Sequence, residues 1–205
     1  MLVRLGSATL GESGAARMSP RLRPAWSGAA LAARAYPVRC TPGDNLAVHV
    51  GLTTAPTGSV LCVDVGDVRE LGYWGEVLAT AAEARGVVGL VIDGGVRDVD
   101  ALKAHQFPVF SSGIALTGAT KVNTGTVGAT ATVGDVEVQA GDWVVGDVDG
   151  VVVVAAANSA AVLQAALARE VKETDMFASL KAGATTVELL GLDASLIEVA
   201  NDRAQ

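Results

Sequence analysis

The 205-residue sequence has little of what most catalytic and metal-binding motifs are made from: two histidines, two cysteines and 4% aromatic residues. With only His49 and His105, one chain cannot assemble a histidine-rich metal site. A Ser-His-Asp arrangement would have to use one of them. Neither sits at the end of a strand-like run, so each reads as an exposed or hydrogen-bonded helix residue. Cys40 and Cys62 are too few for a disulfide framework or a zinc motif. Both fall in apolar, strand-like segments and read as small buried hydrophobes. The glycine-rich dinucleotide and phosphate loops are missing, as are the nucleophile elbow G-x-S-x-G and the zinc motif H-E-x-x-H.

Charge is scarce too. Charged residues make up 18% of the chain, against roughly a quarter in typical soluble domains, which suggests that copies of the chain cover some of its surface. The net charge of −7 argues against a nucleic-acid partner, because such proteins present a basic stripe to phosphates. Arg17, Arg21, Arg23, Arg34 and Arg39, interrupted by Pro20 and Pro24, read as a solvated face. No uninterrupted apolar run reaches the roughly 18 residues of a membrane span, and the N-terminus lacks the basic-then-apolar order of a leader. The expectation is a cytoplasmic protein with no membrane role.

Half of the residues are apolar and 24 are glycine, enough for one α/β domain with a core of Val, Ala and Leu. Residues 1–35 are expected to be a short helix and loops covering that core. Residues 36–157 would form the α/β core, and 158–205 C-terminal helices of the same domain. Within the core, residues 36–40 and 60–65 read as strands, with a helix over 46–54 between them. Residues 75–85 give an amphipathic helix ended by Gly86 in a left-handed conformation. Residues 87–92 are almost continuously apolar, as in a strand covered on both faces. A helix over 98–106 and a strand over 107–111 follow. From 127 to 155 apolar and polar residues alternate between turns, which predicts β-hairpins. Asn158 would cap a helix running to about residue 182, with another over 187–199. A hairpin meander after strand–helix alternation predicts a mixed, layered α/β domain with two sheets.

Two segments carry the chemistry. Asp93-Gly94-Gly95-Val96-Arg97-Asp98 lies where a buried strand ends, the place where α/β proteins bind ligands. Arg97 offers a planar fork matched to a carboxylate, and Asp98 is a hard oxygen ligand suited to Mg²⁺ or Mn²⁺. Gly75-Glu76-Val77-Leu78 opens a helix whose free N–H groups can hold an anionic oxygen. A plain helix cap with a surface ion pair would explain the Arg-Asp pair equally well.

The run from Tyr73 through Gly75-Glu76-Val77-Leu78-Ala79-Thr80-Ala81-Ala82, then Ala84-Arg85-Gly86 and residues 91–98, closely resembles the 4-hydroxy-4-methyl-2-oxoglutarate aldolase family. That family shares its fold with the regulator of ribonuclease activity A. The resemblance continues through Pro42-Gly43-Asp44-Asn45, Phe107-Pro108-Val109-Phe110 and residues 147–152, and covers roughly 36–190. It implies a β/β/α swivelling-type fold, trimers or dimers of trimers, and a Mg²⁺ or Mn²⁺ site between subunits. By the resemblance, Arg97 would pair with the carboxylate of a small 2-oxo acid and Asp98 would bind the metal. The amides of Gly75, Glu76, Val77 and Leu78 would hold the substrate, and Glu76 would stand near the waters of the metal. Glu173 resembles an acidic residue that a neighbouring subunit sends into the site. The implied reaction is cleavage of a 4-hydroxy-2-oxo acid to pyruvate, with oxaloacetate decarboxylation through the same enolate. The sequence departs from the aldolases three positions after Asp98, where they often carry an acid and this chain has Ala101. A regulator that binds a ribonuclease without catalysis is the alternative; Glu76, Arg97 and Asp98 together favour chemistry.

Overall fold

Continuous apolar sequence becomes continuously buried strand in the computed structural model, which describes residues 1–199. Strand β6 (Gly89–Val96) has all 8 residues buried and lies inside the sheet, between two neighbouring strands. Before it in the chain come β1 (Ala16–Arg17), β2 (Arg23–Pro24), β3 (Leu31–Cys40), β4 (Ser59–Asp64) and β5 (Gly72–Trp74). After it come β7 (Val109–Ile114), β8 (Gly125–Val127), β9 (Ala131–Val133), β10 (Val136–Val138), β11 (Trp143–Asp147) and β12 (Gly150–Val154). The helices are α1 (Leu2–Glu12), α2 (Leu46–Thr54), α3 (Glu76–Arg85), α4 (Val99–Ala104), α5 (Ser159–Lys181) and α6 (Thr186–Leu190).

Ten strands form one mixed sheet in the order β1-β12-β11-β3-β4-β6-β7-β2, with β5 on β6 and β8 on β3; β9 and β10 make a separate hairpin. The centre β3-β4-β6-β7 is parallel, because helices α2, α3 and α4 return the chain between its strands. The flank β11–β12 is an antiparallel hairpin, the meander expected from alternation. Helix α2 has the predicted bounds, and Gly86 ends α3 at φ 73°. Burial also matches at the cysteines, both of which are free and buried. Desolvation pushes the Cys40 thiol up to about 12, with Asp44 and Asp64 adding to it.

Several boundaries differ from the sequence expectation: β6 runs on to Val96, β7 spans Val109–Ile114, and residues 1–35 contain β1 and β2 as well as a helix. Strand β3 starts at Leu31, inside the Ala-rich stretch expected to be loop, because Leu31, Ala33 and Ala35 alternate into the core. Helix α4 is shorter than 98–106: Asp98 (φ 58°) and Gln106 (φ 55°) are both left-handed and bracket it. Residues 187–199 hold α6 and a 3₁₀ turn at Ala194–Leu196 in place of one helix, since Gly191 closes α6 in the left-handed conformation.

The N-terminal segment is tied to the sheet by charge. Arg21 donates from Nε and Nη2 to the two oxygens of Asp93, at 2.8 and 2.7 Å, and from Nη1 to Asp135 at 2.7 Å. Burial alone would raise the pKa of Asp93, but Arg21 and Arg69 hold it below the ordinary value. The chain divides into two compact units, Met1–Ala166 and the residues from Leu167 on. The first contains the whole sheet and its core; in the second, no described residue is buried. Among the described residues no helix is long and apolar enough to cross a membrane.

Candidate active site

Glycine makes the corner at which β6 leaves the sheet. A Cβ on Gly95 would stand 2.6 Å from the Leu71 carbonyl oxygen, so only glycine lets β5 and the preceding loop close onto β6. That approach sets Trp74 beside Val96 and lets the Arg97 amide donate to the Trp74 carbonyl at 2.8 Å. Trp74 stacks on Phe107 with ring centroids 5.8 Å apart, filling the space behind the corner. The next residue on each chain segment, Gly75 and Asp98, is an N-cap: Gly75 of α3 and Asp98 of α4. The two helix N-termini therefore meet.

At that meeting Asp98 Oδ2 accepts from the Glu76 amide at 3.0 Å. A Cβ on Gly75 would stand 2.3 Å from the same oxygen, so this contact requires glycine. Arg97 Nε is 3.8 Å from Asp98 Oδ2, and its Nη1 reaches the Leu116 carbonyl at 3.4 Å. Both side chains stay close to half exposed, at 45% and 43%. Leu78 and Ala79 turn their amides back to the Gly75 carbonyl. Among the described residues this leaves the Val77 amide as the first-turn N–H of α3 without a protein acceptor, at the positive end of the helix dipole.

These groups line one wall of a cleft of about 160 Å³. Of the residues singled out from sequence, the structure brings Gly75, Val77, Leu78, Arg97 and Asp98 to it. Glu76 gives its amide to Asp98, but its carboxylate lies 3.6 Å from His105 Nε2 and is not part of the cleft wall. Glu173 is in the other unit, on α5, paired with Arg169 at 2.7 Å.

Sequence reasoning missed much of the remaining lining, which includes Asn45, His49, Gly118, Ala119 and Lys121. The Asn45 amide donates from Nδ2 to the Tyr73 carbonyl at 2.8 Å, while its Oδ1 is buried with no partner. His49, expected to be an ordinary helix residue, instead has a buried Nε2 with no partner. Burial, and then the charge of Lys121, lower its pKa, so it faces the cleft as a neutral ring. Buried polar atoms of this kind are costly unless a ligand pairs with them. The loop carrying Lys121 is anchored by Asp44, whose Oδ2 accepts from Thr120 Oγ1 at 2.7 Å and from the Val122 amide at 2.6 Å. Only Pro42-Gly43-Asp44-Asn45, quoted above for its resemblance, signalled this part of the lining.

A larger groove of about 490 Å³, between α1, β11 and α5, is lined by side chains such as Leu2, Trp143 and Leu163 and has no acid, base or thiol side chain in its wall. Of these two, the smaller cleft is the one lined by ionisable side chains.

Known proteins share this sequence pattern and fold. The family model described as "RraA-like: Aldolase/RraA" matches residues 8–153. The chain belongs to the RraA-like family. A protein of Halalkalibacterium halodurans named "Putative 4-hydroxy-4-methyl-2-oxoglutarate aldolase" is 34% identical over 129 residues, 63% of this chain and 61% of that protein. A Bacillus cereus protein of the same name is 34% identical over 110 residues, 54% of this chain and 69% of that one. The match thus spans less than two thirds of the Halalkalibacterium relative's length. Among solved structures, an uncharacterized protein from Pseudomonas syringae pv. tomato superposes with a TM-score of 0.76 at 26% identity, covering 87% of this chain and 89% of that one. The RNA-processing inhibitor RraA from Thermus thermophilis gives 0.61 at 28% identity, covering 69% and 84%. The mixed α/β architecture is that of the RraA-like family.

Proposed function

We propose that this chain is a divalent-metal-dependent carbon–carbon lyase that cleaves 4-hydroxy-4-methyl-2-oxoglutarate, or a related 4-hydroxy-2-oxo acid, to pyruvate and a second carbonyl acid. Oxaloacetate decarboxylation would be its side reaction. The observation that carries this reading is the Arg97–Asp98 pair sharing one small cleft with Val77 at the N-terminus of α3. The relatives named as aldolases support the reaction class.

The donor set fits a hard, hydrated cation. Among the described residues no three His, Cys, Asp or Glu side chains cluster as a zinc site requires. Asp98 commits Oδ2 to an amide and has Oδ1 available, which suits Mg²⁺ or Mn²⁺ retaining several waters. A cation held there would supply Lewis acidity at the 2-oxo group as the bond breaks.

The chain's own groups do the rest. The guanidinium of Arg97 pairs with the substrate carboxylate through its planar fork, and the Val77 amide holds a second carboxylate oxygen with the dipole of α3 behind it. In the cleavage a base removes the C4 hydroxyl proton and the C3–C4 bond breaks into the C4 carbonyl. The electron pair passes to the C2–C3 enolate, which is then protonated at C3 to give pyruvate. Glu76 is the carboxylate on this chain assigned to move these protons, and Glu173 of a neighbouring copy is assigned to assist it. The partners are thus a small 2-oxo acid and further copies of the chain, as a trimer or a dimer of trimers. Exposed Phe177, Leu190, Leu192 and Ile197 in the second unit support self-association.

The test couples the purified protein and Mg²⁺ to lactate dehydrogenase, with each substrate and a metal-only control. Metal-dependent pyruvate release is expected, reduced about 10²–10³-fold in Arg97→Ala. Turnover no faster than the metal-only control would sink the lyase reading. The likeness to the RNA-processing inhibitor would then make binding to a ribonuclease the assay to run.

A further inference from the structure

One imidazole joins α3 to the end of α4 beside the cleft. His105 ends α4, with Nδ1 2.9 Å from Glu83 Oε2 and Nε2 3.6 Å from Glu76 Oε1. Glu76 and Glu83 are two helical turns apart and lie on one face of α3, so a ring between them can meet both. A neutral imidazole has one N–H and one lone pair, whereas an imidazolium donates from both nitrogens. The closer partner is Glu83. In the neutral ring the proton therefore belongs on Nδ1, and the Nε2 lone pair faces the Glu76 carboxylate and repels it.

We propose that His105 is a positioning residue for Glu76: protonated, it draws the Glu76 carboxylate away from the cleft, and neutral, it releases that carboxylate toward Asp98. The Glu76 backbone is already at Asp98, to which its amide donates, so a change of side-chain rotamer is what moves the carboxylate. The hydrogen bond to Glu83, and then the charges of Glu83 and Glu76, raise the pKa of His105 above its ordinary value. Among the described residues the charged groups paired with the ring are these two glutamates of α3. Lowering the pH closes the latch and raising it opens the latch. The proposal rests on the role assigned to Glu76 in the lyase reading, and it adds a pH control on that role.

The experiment is an NMR titration of the whole protein that follows the His105 imidazole and the Glu76 carboxyl carbon together, with pH profiles of kcat/KM alongside. In the wild type the Glu76 signal should show an inflection at the His105 midpoint. Glu76→Gln should lower that midpoint, and His105→Gln should erase the inflection and move the acid limb of kcat/KM to lower pH. A Glu76 signal that ignores the His105 midpoint, or a midpoint unmoved by Glu76→Gln, would overturn the latch even if pyruvate is released. Coupled titrations in a protein that releases no pyruvate would uphold the latch and overturn the lyase reading, so the two failures are distinct. An acid limb unchanged in His105→Gln would also overturn the proposal.

Discussion

Two aspartates stand beside helix N-termini, Asp98 in the cleft wall and Asp44 behind it anchoring the Lys121 loop, and they have opposite environments. Asp44 is 1% exposed, and its oxygens accept from Leu46, Thr120, Val122 and Asn123. Asp98 is 43% exposed and receives one amide. A buried carboxylate saturated with protein donors contributes to folding and has nothing left for a ligand. A half-exposed carboxylate with a free oxygen, held in a left-handed conformation at φ 58°, contributes little to folding and is available for chemistry. Residue type is the same in both, although Asp98 is the N-cap of α4 and Asp44 precedes the Asn45 cap of α2; the donors supplied by distant chain make the difference.

The comparison can be broken by exchanging the roles. Asp98→Asn keeps the shape and should cost about 10²–10³-fold in kcat/KM, while the unfolding free energy changes by less than about 1 kcal/mol. Steady-state kinetics beside denaturant unfolding would check both halves, and a large loss of stability would end the distinction. Asp44→Ala should do the reverse, destabilising the protein by about 2–4 kcal/mol because several buried donors lose their acceptor. Urea unfolding reads that directly. The smallest effect is in acid. Burial penalises the charge on Asp44, but the amide donors of Val122 and Leu46, with Thr120, outweigh it and hold the pKa near about 2, against an ordinary 3.8. A depressed carboxylate stabilises the fold above its unfolded pKa and ceases to do so as pH falls through the folded value. The stability gap between wild type and Asp44→Asn should therefore be constant above about pH 4 and shrink between there and about pH 2. A gap that does not change over that window would show that the charge of Asp44 is immaterial.

Local signals carried much of this into the sequence. The apolar run of β6, the glycine ending α3 and the corner Gly94-Gly95-Val96-Arg97-Asp98 all act within a few residues of themselves, and pattern reading found them. Strand β5 is only 3 residues long, too short for a period to register. The lining by Asn45, His49 and Lys121 was signalled only at Pro42-Gly43-Asp44-Asn45, because it is assembled from α2 and the loop after β7, segments that the sheet brings together. Glu76 is instructive in another way. Its place at a helix start was readable, yet its carboxylate is turned by His105, a partner 29 positions away whose contact no spacing rule could anticipate. Arg21 and Asp93, 72 positions apart, are the same kind of case.

The all-buried character of β6 has a mechanical consequence. Arg97 follows directly on Val96, the last residue of that strand, so the site projects from it on a lever one residue long. With about 3.8 Å between successive Cα atoms, tilting the peptide link by about 10° displaces the backbone of Arg97 by less than about 1 Å. Positional noise at the guanidinium then comes from its own side-chain torsions and hardly at all from the backbone. The accuracy of this corner is inherited from a strand buried along its whole length.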